Sequence, residues 1–266
     1  MTYENVRQVN FARVIQRAQM GLMRTRSHFR SASSRWRSVL APGVCVACDQ
    51  RTRMAFDLCA QCLRCLPWNA HACALCALPL PVATQTAHRE RCAACLTKPP
   101  LWDRSVAAFA YAPPADAMIL RVKYGGSLCD ARVLGTLLAD RIATTYRDTA
   151  LPEIITPLPL SWRRLLYRGH NQSALIARYL SRRLHLPVRY DVLRRTRHTR
   201  PQTRLSRSAR LTNLGGAFRL SRTLPAPRIA LVDDVMTTGA TVRAATRTLK
   251  AAGALEVHVW VVARAS

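Results

Sequence analysis

Ten cysteines and one acidic couplet are where this sequence could do chemistry. Eight of the cysteines form four C-x-x-C pairs: Cys45/Cys48, Cys59/Cys62, Cys73/Cys76 and Cys92/Cys95. Two cysteines at that spacing can aim both thiolates at one ion from a tight knuckle. Two knuckles complete a four-sulfur tetrahedron, the closed geometry of structural zinc. Pairing in chain order gives one site from Cys45, Cys48, Cys59 and Cys62, and a second from Cys73, Cys76, Cys92 and Cys95. Disulfides would need an oxidising compartment, and no export signal argues for one. An iron–sulfur cluster is a rival user of four thiolates. Cys65 makes a further C-x-x-C with Cys62 and is read as a spare. His71 and His88 flank the second set and offer substitute ligands. Cys129 stands alone and reads as a small core residue.

The couplet is Asp233-Asp234, inside LVDDVMTTGATV (231–242). Two like charges end an apolar run, and a Thr- and Gly-rich turn follows at once. Thr237, Thr238 and Thr241 offer hydroxyls, and Gly239-Ala240 lets the main chain come close to a ligand. Backbone N–H groups at the start of the helix expected from about Thr241 favour a phosphate. The carboxylates want hydroxyls or a cation. A sugar phosphate offers both ends. The G-x-x-x-x-G-K-[ST] pattern of a P-loop is absent.

These groups need elements to hold them. SVAAFAYA (105–112), EIIT (153–156), PRIALV (227–232) and EVHVWVVA (256–263) read as strands. Between them, 114–124, 131–146, 171–184 and 241–253 read as helices, with Val133, Leu134, Leu137, Leu138 and Ile142 on one apolar face. In 171–184, Leu175, Ile176, Tyr179 and Leu180 form the buried stripe. Alternating strands and helices imply an α/β fold with a mostly parallel sheet covered on both faces. Ligands of such sheets bind beyond the carboxyl ends of the strands. The couplet is expected there, just past the end of its strand. Pro99-Pro100 closes the cysteine-rich part.

The net charge is +27, with 38 Arg against Lys98, Lys123 and Lys250. That excess favours polyanions such as nucleic acid, phosphate-rich ligands or an anionic membrane face. Residues 1–40 carry eight Arg and one acid, Glu4, and read as a basic arm, partly helical or disordered. They lack the apolar core of a signal peptide, and Met20 and Met23 would serve as later starts. Nothing approaches the roughly 20 apolar residues of a membrane span. A cytoplasmic protein is expected, with a peripheral place at the inner membrane face left open.

IALVDDVMTTGAT (229–241) resembles the phosphoribosyl pyrophosphate motif of type I phosphoribosyltransferases. The chain as a whole resembles the competence protein F (ComF) family, which joins a double zinc ribbon to such a domain. The cysteine pairs carry the resemblance. So do LPW (66–68), VKYGGS (122–127), PLPLSWRRLLYRGHNQ (157–172) and RTRHTRPQTRLSRSARLTNLGGAF (195–218). It runs from about Cys45 to Arg264. It leaves the basic arm over 1–43 outside, and implies a double zinc ribbon over 44–98 with two structural zinc ions and a phosphoribosyltransferase-like domain over 99–266. Asp233 and Asp234 would hold the ribose hydroxyls directly or through Mg²⁺. Thr237, Thr238, Gly239, Ala240 and Thr241 would cradle the 5′-phosphate. The turn from Pro157 would be the pyrophosphate loop, and Arg168, Asn171 and Gln172 would face the same cleft. Arg168 or Lys123 would receive the pyrophosphate, though Lys123 reads equally well as a solvated lysine at a helix end. Residues 195–215 would form a mobile loop closing over the ligand.

No acceptor pocket is legible. One reading is a phosphoribosyltransferase with an unknown acceptor, serving DNA uptake. The other is a non-catalytic single-stranded-DNA-binding protein that uses the pocket as a ligand sensor. Residues 161–222 hold sixteen Arg against one acid, Asp191, and 194–210 hold seven Arg and no acid. That exceeds what ligand closure needs and points to phosphate backbones. Arg197, Arg200, Arg204 and Arg207 are the candidate DNA contacts, and aromatics for base stacking look scarce. DNA-uptake machinery is the partner the family implies.

Overall fold

The computed structural model describes residues 43–54, 56–81, 91–196, 216–221 and 223–265. Residues 1–42 of the arm, His88, and Arg197, Arg200, Arg204 and Arg207 lie outside the described residues. So does nearly all of the expected closing loop.

Four strands form one parallel sheet in the order β3-β8-β7-β4: β3 (Arg104–Ala110), β8 (Glu256–Arg264), β7 (Arg228–Met236) and β4 (Ile154–Pro157). The two inner strands are almost continuously apolar because both of their faces are covered. Side chains alternate between the faces. Ala230, Val232, Trp260 and Val262 join one core; Ile229, Leu231, Val257, Val259 and Val261 join the other. Helices α3 (Ala115–Gly125), α4 (Leu128–Thr145) and α6 (Gln172–Leu184) supply the first core. Helix α7 (Ala240–Ala251) supplies the second.

The buried face of α4 is the expected one: Val133, Leu134, Leu137, Leu138 and Ile142 are all buried. On α6, Ile176 and Leu180 are buried, while Leu175 and Tyr179 are half-covered. The two helices meet at Gly135. A Cβ added there would lie 2.8 Å from Tyr179 Cβ and 3.3 Å from Ile176 O. Neither neighbour is a flexible chain end, so the backbones must part. Gly135→Ala is expected to destabilise the protein by about 1–3 kcal/mol, as overpacking does. A urea melt checks it.

Helix α4 starts one turn earlier than its apolar pattern. Ser127 accepts a bond from Asp130 N and caps it. That extra turn carries Cys129 to the surface, so Cys129 is exposed and not a core residue. Two further departures are short. Helix α5 (Trp162–Arg168) has no buried residue, and so no apolar stripe to read. Strands β5 (Leu193–Arg195) and β6 (Phe218–Leu220) pair antiparallel, each only three residues long.

The cysteine-rich part adds a two-residue ladder of β1 (Gly43–Val44) and β2 (Arg51–Thr52), then α1 (Ala60–Arg64) and α2 (Ala93–Thr97). It is seated on the sheet unit. Arg121 grips buried Asp130 with two bonds, 2.6 and 2.9 Å, and donates a third, 2.8 Å, to Val46 O. One guanidinium thus ties α3 and α4 to the first cysteine knuckle. Cys45, Leu58 and Leu66 complete the core on that side.

Candidate functional site

Thiols come together as two tetrads. Cys45, Cys48, Cys59 and Cys62 form one, and Cys73, Cys76, Cys92 and Cys95 form the other. Within each, every sulfur lies within 4.8 Å of the rest. Cys48 and Cys59 sulfurs are 3.8 Å apart, and Cys76 and Cys92 sulfurs 3.6 Å. A tetrahedron of Zn–S bonds near 2.3 Å has edges of about 3.8 Å, so the spacing suits zinc. The charges agree. A hydrogen bond from Cys76 draws the Cys73 thiol down to about 4. The same contact, with burial, pushes Cys76 up. Burial pushes Cys62 up, and the neighbouring thiols add to it. Four such thiols cannot ionise together without a cation between them. Cys65 is exposed and His71 belongs to neither tetrad.

The acidic couplet does not follow its strand. It lies in it. β7 runs on to Met236 because β8 continues beside it, pairing Asp233 with Val261 and Val235 with Ala263. β4 stops earlier, with Pro157 opposite Val232. Beyond that step β7 has a neighbour on one side only. A cleft of ≈ 120 Å³ opens there, lined by Asp233 and Asp234. It also receives Lys123, Arg164, Arg168, Arg195, Gln172 and Thr241.

Both signs of charge are crowded in this cleft. Burial pushes Asp233 up to about 8, and the charge of Asp234 adds to it. Ser173 Oγ donates to Asp233 Oδ1 at 2.8 Å and pulls the other way. Asp234 is buried, and its Oδ2 has no hydrogen-bond partner among the described residues. Across the cleft, burial and then Arg164 pull Arg195 down to about 10. Burial and then Arg168 pull Arg164 down too. A cleft with these features suits a ligand that carries anions at one end and meets a cation at the other.

The loop after β7 leads straight into α7. Gly239 takes φ +71° and caps α7. A Cβ on it would come within 2.9 Å of the Trp102 ring. Ala240 N donates weakly to Thr238 Oγ1 at 3.4 Å. Thr237 and Thr238 are exposed, and Thr241 faces the cleft. Asn171 has a different post. Its side chain caps α6 through Ser173 N at 3.0 Å, and its amide donates to Leu158 O at 3.0 Å. It pins the turn after β4 to α6. Arg168 leans on Gln172 Oε1 at 3.3 Å. His170 bridges Arg168 O and Val122 O at 2.7 and 2.6 Å, tying the end of α5 to α3.

A phosphoribosyl transferase domain model matches residues 170–266, and a double zinc ribbon model matches residues 37–96. The chain is 36% identical over 226 residues to the DNA utilization protein YhgH of Escherichia coli K12. That match covers 84% of this chain and 97% of the relative. It is 38% identical over 183 residues to competence protein F of Haemophilus influenzae, covering 67% of this chain and 80% of the relative. The chain belongs to the ComF family. A looser structural likeness, with TM-score 0.36 and 20% identity, is to a glutamine phosphoribosylpyrophosphate amidotransferase from B. subtilis. It covers 54% of this chain and 30% of that one.

For this ComF-family chain, the tetrads and the ribbon match together support structural zinc. Among the described residues, no helix is long and apolar enough to cross a membrane. Sequence reasoning missed Arg164 and Arg195, which line the cleft, and Ser173, which bonds Asp233. Arg164 sits inside PLPLSWRRLLYRGHNQ, one helical turn before Arg168, and Ser173 directly follows Gln172, so their signal was proximity. Arg195 was one arginine among many, and only the β5–β6 hairpin aims it inward.

Proposed function

We propose that the cleft binds phosphoribosyl pyrophosphate with Mg²⁺ and that the chain transfers the phosphoribosyl group to an acceptor in the service of DNA uptake. The observation that carries this is the facing of Asp233-Asp234 against four cations, one loop away from a helix N-terminus. The Thr237–Thr241 loop takes the 5′-phosphate through backbone N–H groups and hydroxyls. Asp233 and Asp234 hold the ribose diol side, and the free Asp234 Oδ2 suits either a ligand hydroxyl or a hydrated cation. Lys123, Arg164, Arg168 and Arg195 surround the position for the pyrophosphate. Asp233 and Asp234 would hold Mg²⁺, which would supply positive charge against the diphosphate. The arginines do the same from fixed positions, without reorganising as the charge develops. Calorimetry with phosphoribosyl pyrophosphate tests the binding. Pyrophosphate release against a panel of bases and amines tests the transfer. The names of the relatives support the link to DNA uptake, and a cytoplasmic setting follows from that reading.

A second reading, contact with single-stranded DNA, is favoured by α5. Trp162 and Tyr167 are 62% and 85% exposed. Arg163 lies 5.2 Å over the Trp162 ring, and Arg168 lies 5.4 Å over Tyr124. Trp162 is therefore displayed beside a guanidinium group, with exposed Tyr167 on the same helix. That is the composition of a stacking platform for bases. Replacing Trp162 and Tyr167 with Ala should weaken single-stranded DNA binding about 10- to 100-fold, at ~1–3 kcal/mol per stacked base when one or both stack. Replacing Arg197, Arg200, Arg204 and Arg207 with Gln should flatten the salt dependence by about 2–3 in log–log slope. Fluorescence anisotropy at several salt concentrations reads both. Unchanged affinity and slope in both variants would leave the transferase reading alone.

A further inference from the structure

The Cys73–Cys76 knuckle of the second tetrad spends its carbonyls on the sheet unit. Leu75 O accepts the indole N–H of Trp102 and the hydroxyl of Ser105, the latter at 2.7 Å. Ala74 O accepts Ser105 N at 2.8 Å, and Cys76 O accepts Arg264 Nε at 2.9 Å. Two of these donors, Trp102 and Arg264, then reach the phosphate loop. Trp102, 4% exposed, presses the edge of its ring against Gly239. Arg264 donates its other arm to Met236 O at 3.1 Å, and Ala265 N donates to the same oxygen at 3.0 Å. Met236 and Gly239 are the two ends of the Thr237-Thr238 turn. Ala77, Trp102, Met236 and Ala240 pack in one core. The first tetrad sits elsewhere, with Cys45 and Leu58 in the core on the other face of the sheet.

We propose that Trp102 and Arg264 are positioning residues through which the second tetrad holds the phosphate loop in its binding shape. Metal at Cys73, Cys76, Cys92 and Cys95 sets the knuckle. The knuckle sets the two side chains, and they fix both ends of the turn. Loss of that one metal therefore loosens the loop and abolishes sugar-phosphate binding, while loss of the first metal leaves the loop intact. The ligand half of this rests on the binding reading above; the structural half does not.

Hydrogen exchange on the full chain, read by mass spectrometry over residues 236–242, decides it. Cys92→Ser should remove one zinc and speed exchange there at least about tenfold. Cys48→Ser should also remove one zinc and leave that segment as in wild type. Trp102→Phe and Arg264→Gln keep both tetrads. Each should speed exchange over 236–242 while residues 256–263 in the neighbouring strand stay protected. Ribose 5-phosphate affinity should fall in step, at least tenfold. Arg264→Lys, which keeps a donor toward Met236 O, should restore part of both. Native exchange in Trp102→Phe and Arg264→Gln overturns the proposal even if Cys92→Ser fails to fold. If wild type binds no ribose 5-phosphate, the binding reading fails, and the exchange results still judge the coupling.

Discussion

Replacing Asp233 and Asp234 together with Asn weakens binding of phosphoribosyl pyrophosphate by at least about 100-fold. The substitution keeps the shape and deletes both charges. Each carboxylate would accept charge-assisted bonds, which contribute about 1.5–3 kcal/mol apiece. Calorimetry on the double variant with Mg²⁺ present is the check. Undiminished affinity would remove the couplet from the site. The raised Asp233 adds a pH signature. Its carboxyl is held near 8 in the free protein, chiefly by burial and then by Asp234. The two acids titrate as a pair, so the value belongs to the couplet. A ligand that needs the charged form must drive a proton off. Below about pH 8, affinity should rise up to tenfold per pH unit, and level off above it. The stability of the free protein should follow the reverse trend. A carboxyl raised from its unfolded value contributes stability that is fully present below about pH 4. That contribution is lost as pH rises through about 8. Asp233→Asn should therefore be more stable than wild type at pH 9 when no ligand is present.

Changing Cys45 and Cys48 together to Ser unfolds the first ribbon and loosens α3 and α4 beneath it. Structural zinc contributes about 10–16 kcal/mol in small modules, more than such a fold can lose. Here the knuckle also anchors a core. Cys45 is fully buried, and Arg121 reaches Val46 O from α3. Metal analysis of the wild type should give two zinc ions per chain and no iron. The double variant should give one at most, with loss of near-ultraviolet circular dichroism and a lower melting point. Two zinc ions retained, or an unchanged melting curve, would show that the tetrad is not a metal centre.

Much of this was legible because it rests on short-range rules. C-x-x-C spacing forces two sulfurs onto one knuckle, so the tetrads could be paired by chain order alone. The apolar faces of α4 and α6 follow from helical period. The couplet and the Thr-Gly turn share one strand–loop–helix unit, so their proximity is written in sequence. What stayed hidden depends on partners far along the chain. The strand through Asp233 and Asp234 continues because β8 continues, and no local pattern says so. Helix α5 has no buried face, so its sequence looks like a basic loop. Arg195 enters the cleft through pairing with a strand more than twenty residues away. Cys129 looked like a core residue until the Ser127 cap rotated it outward. Trp102 gave no hint at all of touching Gly239.

One titration bears most directly on the central claim. Phosphoribosyl pyrophosphate is injected into the full chain at pH 7, once with Mg²⁺ and once with a chelator of it, in two buffers of different ionisation heat. The account predicts one site per chain, binding at least tenfold tighter with Mg²⁺, and release of close to one proton from the couplet, as a group near 8 must give at that pH. No heat of binding in either condition, or binding indifferent to Mg²⁺ and free of proton release, would contradict it.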